Sequence, residues 1–283
     1  MSSVNFLNSL LTYESGINEL YFDWYLANWD NKTIDYFDVK STGIVTRNTI
    51  TGKPERKKIS VNEYFKTLGV LEYFDPLNIS SLNLMKYRSI NPWGFIGYQL
   101  GEQALFDCGI YTPKKEEIFH NNRTYQLNVI YVKLEDHTWS DNIEKKIIFD
   151  KNNTPLVIAT NVNTWMGNFT GKFEINSKED LFNPNKQTLV IKNLMKYNYN
   201  KLIGILEKHS FDLDIFLNQN IKYDNSINMR YSLSGILACC HLCGYKATAN
   251  LILKKEVSYD EINTSILNYM EKFSDYDVKD IID

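Results

Sequence analysis

Dense runs of lysine or arginine are absent from this chain. Its 31 Lys and Arg residues stand against 34 Asp and Glu, a formal net charge of −3. A nucleic-acid-binding domain ordinarily carries a basic patch or stripe, so that class is set aside. The nearest approach to one, Lys53, Arg56, Lys57 and Lys58, includes Glu55 and reads as a solvated turn. The opening stretch MSSVNFLNSLLTYESG lacks the basic n-region and long apolar run of a secretory signal. No segment holds the ~18 apolar residues needed to cross a bilayer. The expectation is a soluble chain made in the cytoplasm without a membrane span. It would reach a target outside the cytoplasm through another machine or by cell lysis.

Cysteine and histidine are scarce, at four residues each. Cys239, Cys240 and Cys243 surround His241 in a CCHLC string. A zinc site would need a second ligand pair at suitable spacing, and only Cys108 and the scattered His120, His137 and His209 remain. The string also lies inside the apolar run LSGILACCHLCGY, which suits a buried helix using Cys as a small apolar side chain. No metal or organic cofactor is expected. Two other signatures are missing. Around Thr170-Gly171-Lys172, Met166 stands where a phosphate loop needs its first glycine and Phe173 follows the lysine. No G-x-S-x-G hydrolase elbow occurs. Neither an internal repeat nor a low-complexity linker is evident.

Hydrophobic residues make up 43% of the chain and aromatics 14%, enough for a packed core and against disorder over most of the length. One domain is expected over residues 1–283, with an insertion at about 31–90. The patterns give an α+β fold, mainly helical. Apolar spacing from Val4 to Leu11 predicts a helix that stops near Gly16 and places Glu14 in its last turn. Leu20–Trp29 reads as a second helix. The β-branched stretch 33–60, with turn chemistry at Thr51-Gly52 and Lys53-Pro54, predicts a hairpin. A helix over Val61–Leu71 follows, opened by a Ser60-x-x-Glu63 capping box.

Gly94, Gly97 and Gly101 permit tight turns before a helix that ends at Gly109. Strands are expected at Tyr125–Leu134, Lys146–Phe149 and Leu156–Thr160. Helical patterns cover Phe182–Tyr199 and Lys201–Lys208. A buried helix over Ser234–Lys254 bends at Gly244, and a last helix capped by Ser258-x-x-Glu261 runs to about Phe273.

Cleaving a glycosidic bond requires a carboxylic acid that protonates the leaving oxygen, in a setting that keeps it protonated. Glu14 has the position for this, behind Leu7, Leu10 and Leu11 and before a glycine, although a Glu in a last helical turn is ordinarily a solvated surface residue. The string GFIGYQLGEQAL sets Tyr98 and Gln99 among close glycines, which either bring backbone and amide near a sugar or simply pack a turn. Abundant aromatics serve core packing first and sugar faces second.

Glu14-Ser15-Gly16 followed by Gly97-Tyr98-Gln99-Leu100-Gly101 resembles the goose-type lysozyme and lytic transglycosylase superfamily, whose members carry an E-S-G and then a G-x-x-Q element. It is similar in particular to phage- and secretion-associated muramidase-type proteins. Asn163-Thr164-Trp165-Met166-Gly167-Asn168-Phe169-Thr170-Gly171-Lys172, then Asp180, Leu181 and Gln187, match their later segments. So do Leu233–Leu242 and Tyr269–Phe273.

The resemblance covers most of residues 5–30 and 90–276. It implies a lysozyme-like helical core and a muramidase acting on peptidoglycan as hydrolase or transglycosylase. It puts Glu14 as catalytic acid, with Gly97, Tyr98, Gln99 and Trp165 against the glycan. A secretion-system or phage-tail component, or an immunity protein, would be its partner, and the periplasm its place of action. His241 would be a core histidine. Asp23, nine residues after Glu14, is the candidate second carboxylate, but Trp29 replaces the threonine that phage-type lysozymes place six residues further on. Roughly 80 residues separate Glu14 from the GYQ element, more than simple relatives show. Two alternatives stay open: a non-catalytic wall-binding part of a phage tail or contractile secretion system, and action on a chitin-like polymer.

Overall fold

The apolar spacing of the N-terminal residues produces the helix it predicts. In the computed structural model, which describes residues 1–40, 45–132, 145–222, 228–260 and 264–283, α1 spans Ser3–Ser15 and buries Phe6, Leu7, Leu10 and Leu11. It stops at Gly16, whose φ of 68° is the left-handed cap conformation. The fold is α+β and mainly helical. Sequence reading treats 1–283 as one domain, whereas contacts within the chain group it as two compact units. One is Leu11–Gln187, and the other joins Met1–Leu10 to Thr188–Asp283.

In the unit Leu11–Gln187, a 3-10 turn at Glu19–Tyr21 leads into α2 (Phe22–Ala27). The expected hairpin forms from β1 (Ile34–Phe37) and β2 (Arg56–Ile59), antiparallel with Ile34 opposite Ile59. Near its tip the Asn48 carboxamide oxygen accepts from the backbone N–H groups of Ile50 and Thr51, a local turn lock. α3 (Val61–Thr67) opens with the reciprocal capping box that its sequence predicts. Glu63 N–H donates to Ser60 Oγ at 3.2 Å, and Ser60 N–H donates to Glu63 Oε2 at 2.9 Å.

α4 (Ser81–Arg88) has no counterpart in the sequence reading, because its buried apolar residues are few. Two of them, Leu82 and Met85, join a cluster with Ile17, Tyr25, Ile59, Val61 and Phe65. Residues 31–90 therefore share a core with residues that precede them.

α5 (Glu102–Asp107) starts after Gly101 and stops before Gly109, as the glycines predict. The strands that follow are β3 (Tyr111–Thr112), β4 (Lys115–His120), β5 (Arg123–Tyr131), β6 (Lys145–Phe149), β7 (Pro155–Thr160) and β8 (Asn168–Phe169). Four of them make a sheet in the order β4-β5-β7-β6, in which only β5 and β7 run parallel. β3 pairs with β8, setting Tyr111 opposite Phe169. Residues 133 and 134, expected to extend β5, lie outside the described residues, as does His137.

α6 (Pro184–Lys208) is one helix of 25 residues where the spacing suggests two. Its start combines Pro184 at the first position with Asn183, whose side-chain oxygen accepts from Asn185 N–H at 2.9 Å. In the unit that joins the chain's first ten residues to Thr188–Asp283, the elements after α6 are α7 (Leu213–Phe216), β9 (Asn220–Lys222), β10 (Asn228–Arg230), α8 (Leu233–Lys254), α9 (Ile266–Lys272) and α10 (Lys279–Ile282). Phe6, Ile236, Leu237, Leu251, Ile266, Met270 and Phe273 are buried here.

α8 breaks at Gly244, with φ 79° and ψ 164°, a region open essentially to glycine alone. The α9 cap is Ser265, whose Oγ accepts from Leu267 N–H, rather than Ser258; Glu261 lies outside the described residues. By length and composition α8 could cross a membrane, contrary to the sequence reading that no segment could. Half of its apolar window is nevertheless buried within the protein, it packs on α9, and its helix is interrupted. These are the features of a core helix, and among the described residues no other helix is long and apolar enough to cross a membrane.

Candidate functional site

The loop from Ser89 to Gly101 organises the site. Ile96 bridges to Ile90 on one side and Leu100 on the other. Gly97 N–H donates to Ser89 O at 2.9 Å, and the Asn91 side-chain oxygen accepts from Trp93 N–H at 2.9 Å and Phe95 N–H at 3.1 Å. The loop is thereby closed on itself before it meets anything else.

Gly97 is the tightest point. Its φ is 52°, and a Cβ there would sit 2.0 Å from Gln187 Oε1. Gln187 is fully buried and explains the approach. It accepts from Tyr98 N–H at 3.3 Å and donates to the carbonyls of Tyr87, at 2.9 Å, and Leu181.

Gln99, also at positive φ (58°), turns its side chain toward the end of α1. Its Nε2 donates to the Glu14 backbone carbonyl at 2.8 Å, and its Oε1 accepts from Asn91 Nδ2. Helix ends leave their last carbonyls without partners, so this bond supplies a donor that the helix cannot. Tyr64 adds another, its hydroxyl donating to Gly16 O at 3.1 Å. From α4, the buried Lys86 ammonium donates to Thr12 Oγ1 at 2.8 Å and pairs with the Glu19 carboxylate. The last turn of α1 is thus pinned from three elements, while the Glu14 side chain is half-buried.

The structure brings Glu14 and Gln99 together across 85 positions of sequence. The other residues read as ligand contacts are placed differently. Tyr98 is wholly buried, its ring edge-on to Tyr87 at 6.1 Å, so it is a core residue and offers no surface to a glycan. Gly97 faces Gln187 rather than an open cleft. Asp23 is exposed in the first turn of α2. His241 is half-buried on α8, in the other unit.

Trp165 is partly exposed and firmly held. Its backbone has φ 54°, which is rare for a bulky side chain. The indole Nε1–H donates to Gly94 O at 2.9 Å, in the same loop that carries Asn91 and Gln99. Its backbone N–H donates to Glu102 Oε1 at 2.8 Å, and Thr164 N–H donates to Glu102 Oε2 at 3.2 Å. The Tyr111 hydroxyl donates to Glu102 Oε1 at 2.8 Å. Glu102 is 1% exposed. Burial pushes its carboxyl above the usual range, and the bonds from Tyr111, Thr164 and Trp165 pull partly the other way. Asn163 completes the cluster, accepting from Glu102 N–H at 2.8 Å while its amide donates to Trp93 O at 2.9 Å.

Glu102 escapes the sequence reading. An acidic residue just after a glycine at a helix start looks like ordinary complement to the helix dipole. Its partners stand 9 to 63 residues away, so no local pattern marks it.

Cys239 and Cys240 are buried on α8, and Cys239 Sγ donates to Ile266 O at 3.2 Å. Burial pushes the Cys240 thiol up to about 12, so it stays protonated. Among the described residues no group of three or more His, Cys, Asp or Glu side chains is arranged to hold a metal. No family model, curated protein or solved structure matches the chain.

Proposed function

We propose that the protein is a lysozyme-like muramidase that cleaves peptidoglycan glycan, with Glu14 as the proton donor. The observation that carries this reading is the Gln99–Glu14 bond at 2.8 Å, which fastens a half-buried acid at a helix end to a loop distant in sequence. An acid serves catalysis only when its position is fixed relative to the bond it protonates, and the last turn of α1 is fixed by Gln99, Tyr64 and Lys86.

In this scheme the Glu14 carboxyl gives its proton to the glycosidic oxygen. The C–O bond to the leaving sugar breaks, and positive charge develops on the sugar that remains. Water then adds and returns a proton to the carboxylate, or the sugar's own hydroxyl closes an anhydro ring with the same return. Asp23 is the candidate for stabilising the charge. No cofactor is needed. Delivery by a secretion system or phage particle to the periplasm fits such an activity.

Incubation with purified peptidoglycan and mass analysis of the fragments tests the proposal. New reducing ends mean hydrolysis and anhydro ends mean transglycosylation. Glu14→Gln should abolish release of fragments without altering the unfolding midpoint. A variant that lyses sacculi as fast as the parent removes Glu14 from this role.

A second reading, a wall-binding relative without catalysis, draws support from two placements. Both ends of the Gln99 amide are engaged within the protein, and Tyr98 is enclosed. It expects the parent to bind sacculi and release nothing.

A further inference from the structure

We infer that Trp165 and Phe169 form a ring-stacking subsite for one pyranose of a β-1,4-linked N-acetylhexosamine chain, held rigid by Glu102. The inference rests on the glycan-cleaving reading and deepens it by naming where a sugar is held.

The two rings are nearly parallel, 8° apart, with centroids separated by 6.2 Å. Tyr111, buried behind them, meets Trp165 edge-on at 5.7 Å and Phe169 edge-on at 5.2 Å. Both residues are partly exposed, next to exposed Met166 and Asn168. The indole N–H is already bonded inward to Gly94 O, so what Trp165 offers outward is carbon surface. A flat carbon face that cannot rotate is complementary to the C–H face of a pyranose with equatorial hydroxyls. It has no nitrogen free to select a hydrogen-bonding partner.

The rigidity is unusual for a loop. Trp165 holds a backbone conformation disfavoured for its side chain, and such conformations persist only where the surroundings over-determine them. Here the determinant is a buried carboxylate that collects two consecutive backbone N–H groups and the Tyr111 hydroxyl. Tyr111 also accepts from Gly167 N–H, fixing the loop on the other side of Met166. A ring fixed before binding loses little freedom when a sugar arrives. Gly94 and Asn91, which hold Trp165 and Gln99 respectively, are three residues apart, so one loop ties the ring pair to the Glu14 helix end.

The test uses the full chain carrying Glu14→Gln, so that no glycan is cut, with a hexamer of β-1,4-linked N-acetylglucosamine as probe and isothermal titration as readout. Trp165→Ala should weaken binding by about tenfold or more, Phe169→Ala by less, and Trp165→Phe should keep most of the affinity. Because Trp165→Ala could disturb the loop, the unsubstituted ring is also followed directly. In protein labelled with 5-fluorotryptophan, the resonance that disappears in Trp165→Phe should shift on saturation with the hexamer. Equal affinity of parent and Trp165→Ala, a Trp165 resonance that does not move, or no binding of the hexamer at all would each overturn the subsite. Loss of lysis in Glu14→Gln together with an unmoved Trp165 resonance would sink the subsite and spare the acid. Retained lysis in Glu14→Gln with lost binding in Trp165→Ala would do the reverse.

Discussion

Replacing Gly97 by alanine isolates the packing that holds the site loop. The new Cβ would stand 2.0 Å from Gln187 Oε1 and under 3 Å from that side chain's amide carbon and nitrogen. Gln187 cannot swing aside freely, because it is fully buried and bonded to Tyr98, Tyr87 and Leu181. Two contributions add. Holding alanine at φ 52° costs about 1 kcal/mol. Breaking two of the three Gln187 bonds costs about 2 kcal/mol more, at roughly 1 kcal/mol for each. A total of about 3 kcal/mol should lower the melting temperature by about 10 °C for a unit of this size.

Gly69 provides the control. Its φ is 69°, yet nothing lies within 4 Å of a Cβ built there. Gly69→Ala should therefore cost only the backbone share, about 1 kcal/mol. Urea unfolding followed by circular dichroism measures both. Adding Gln187→Ala to Gly97→Ala should cost less than the two changes summed, since the shortened side chain removes the clash. If Gly97→Ala and Gly69→Ala are equally destabilising, the close approach of Gln187 to Gly97 is not what fixes this loop.

Two further outcomes follow from named groups. Ser60→Ala should destabilise by about 1 kcal/mol through loss of the capping box, whereas Ser80→Ala, at an α4 cap without a side-chain bond, should change little; thermal unfolding of the pair decides. The native pKa of Glu102 is raised by burial, so its folded state holds the proton more tightly than its unfolded state. That contribution is complete below the ordinary carboxylate range and is lost as pH rises through the raised native value. Glu102→Gln removes the slope. As pH rises from the ordinary carboxylate range through that raised value, the stability of the parent relative to the variant should fall, and a constant difference in urea titrations would refute the assignment.

Local chemistry made much of this fold readable. Gly16, Gly101 and Gly109 mark helix boundaries where the structure has them, and the Ser60–Glu63 box is present atom for atom. The hairpin, the three later strands and the break at Gly244 also follow from turn residues and β-branched runs. Where sequence reading falls short, the deciding partner is distant. α4 exists because Leu82 and Met85 fill a core built by residues 17–70, and nothing in its own eight residues announces that.

At the site, pairing of the Glu14 turn with Gln99 is legible, whereas the fate of Tyr98 is not. A tyrosine beside a glutamine in a glycine-rich turn can face either way. Here the turn is held by Gln187, close to Gly97 and bonded to Tyr98 N–H, and the ring packs inward on Tyr87. Glu102 is the clearest case: its role depends on a loop more than sixty residues later.

The membership of the first ten residues bears on how the polypeptide is made. They belong with Thr188–Asp283, and the Met1 carbonyl accepts from Asp277 N–H while Ser3 Oγ donates to Asp280. During translation these residues are made before residues 188–283 and must wait for them. Leu11–Gln187, by contrast, has all its own contacts as soon as Gln187 clears the ribosome. Phe6, which ends edge-on to Phe273, stays without that partner until the residues after Gln187 have been made.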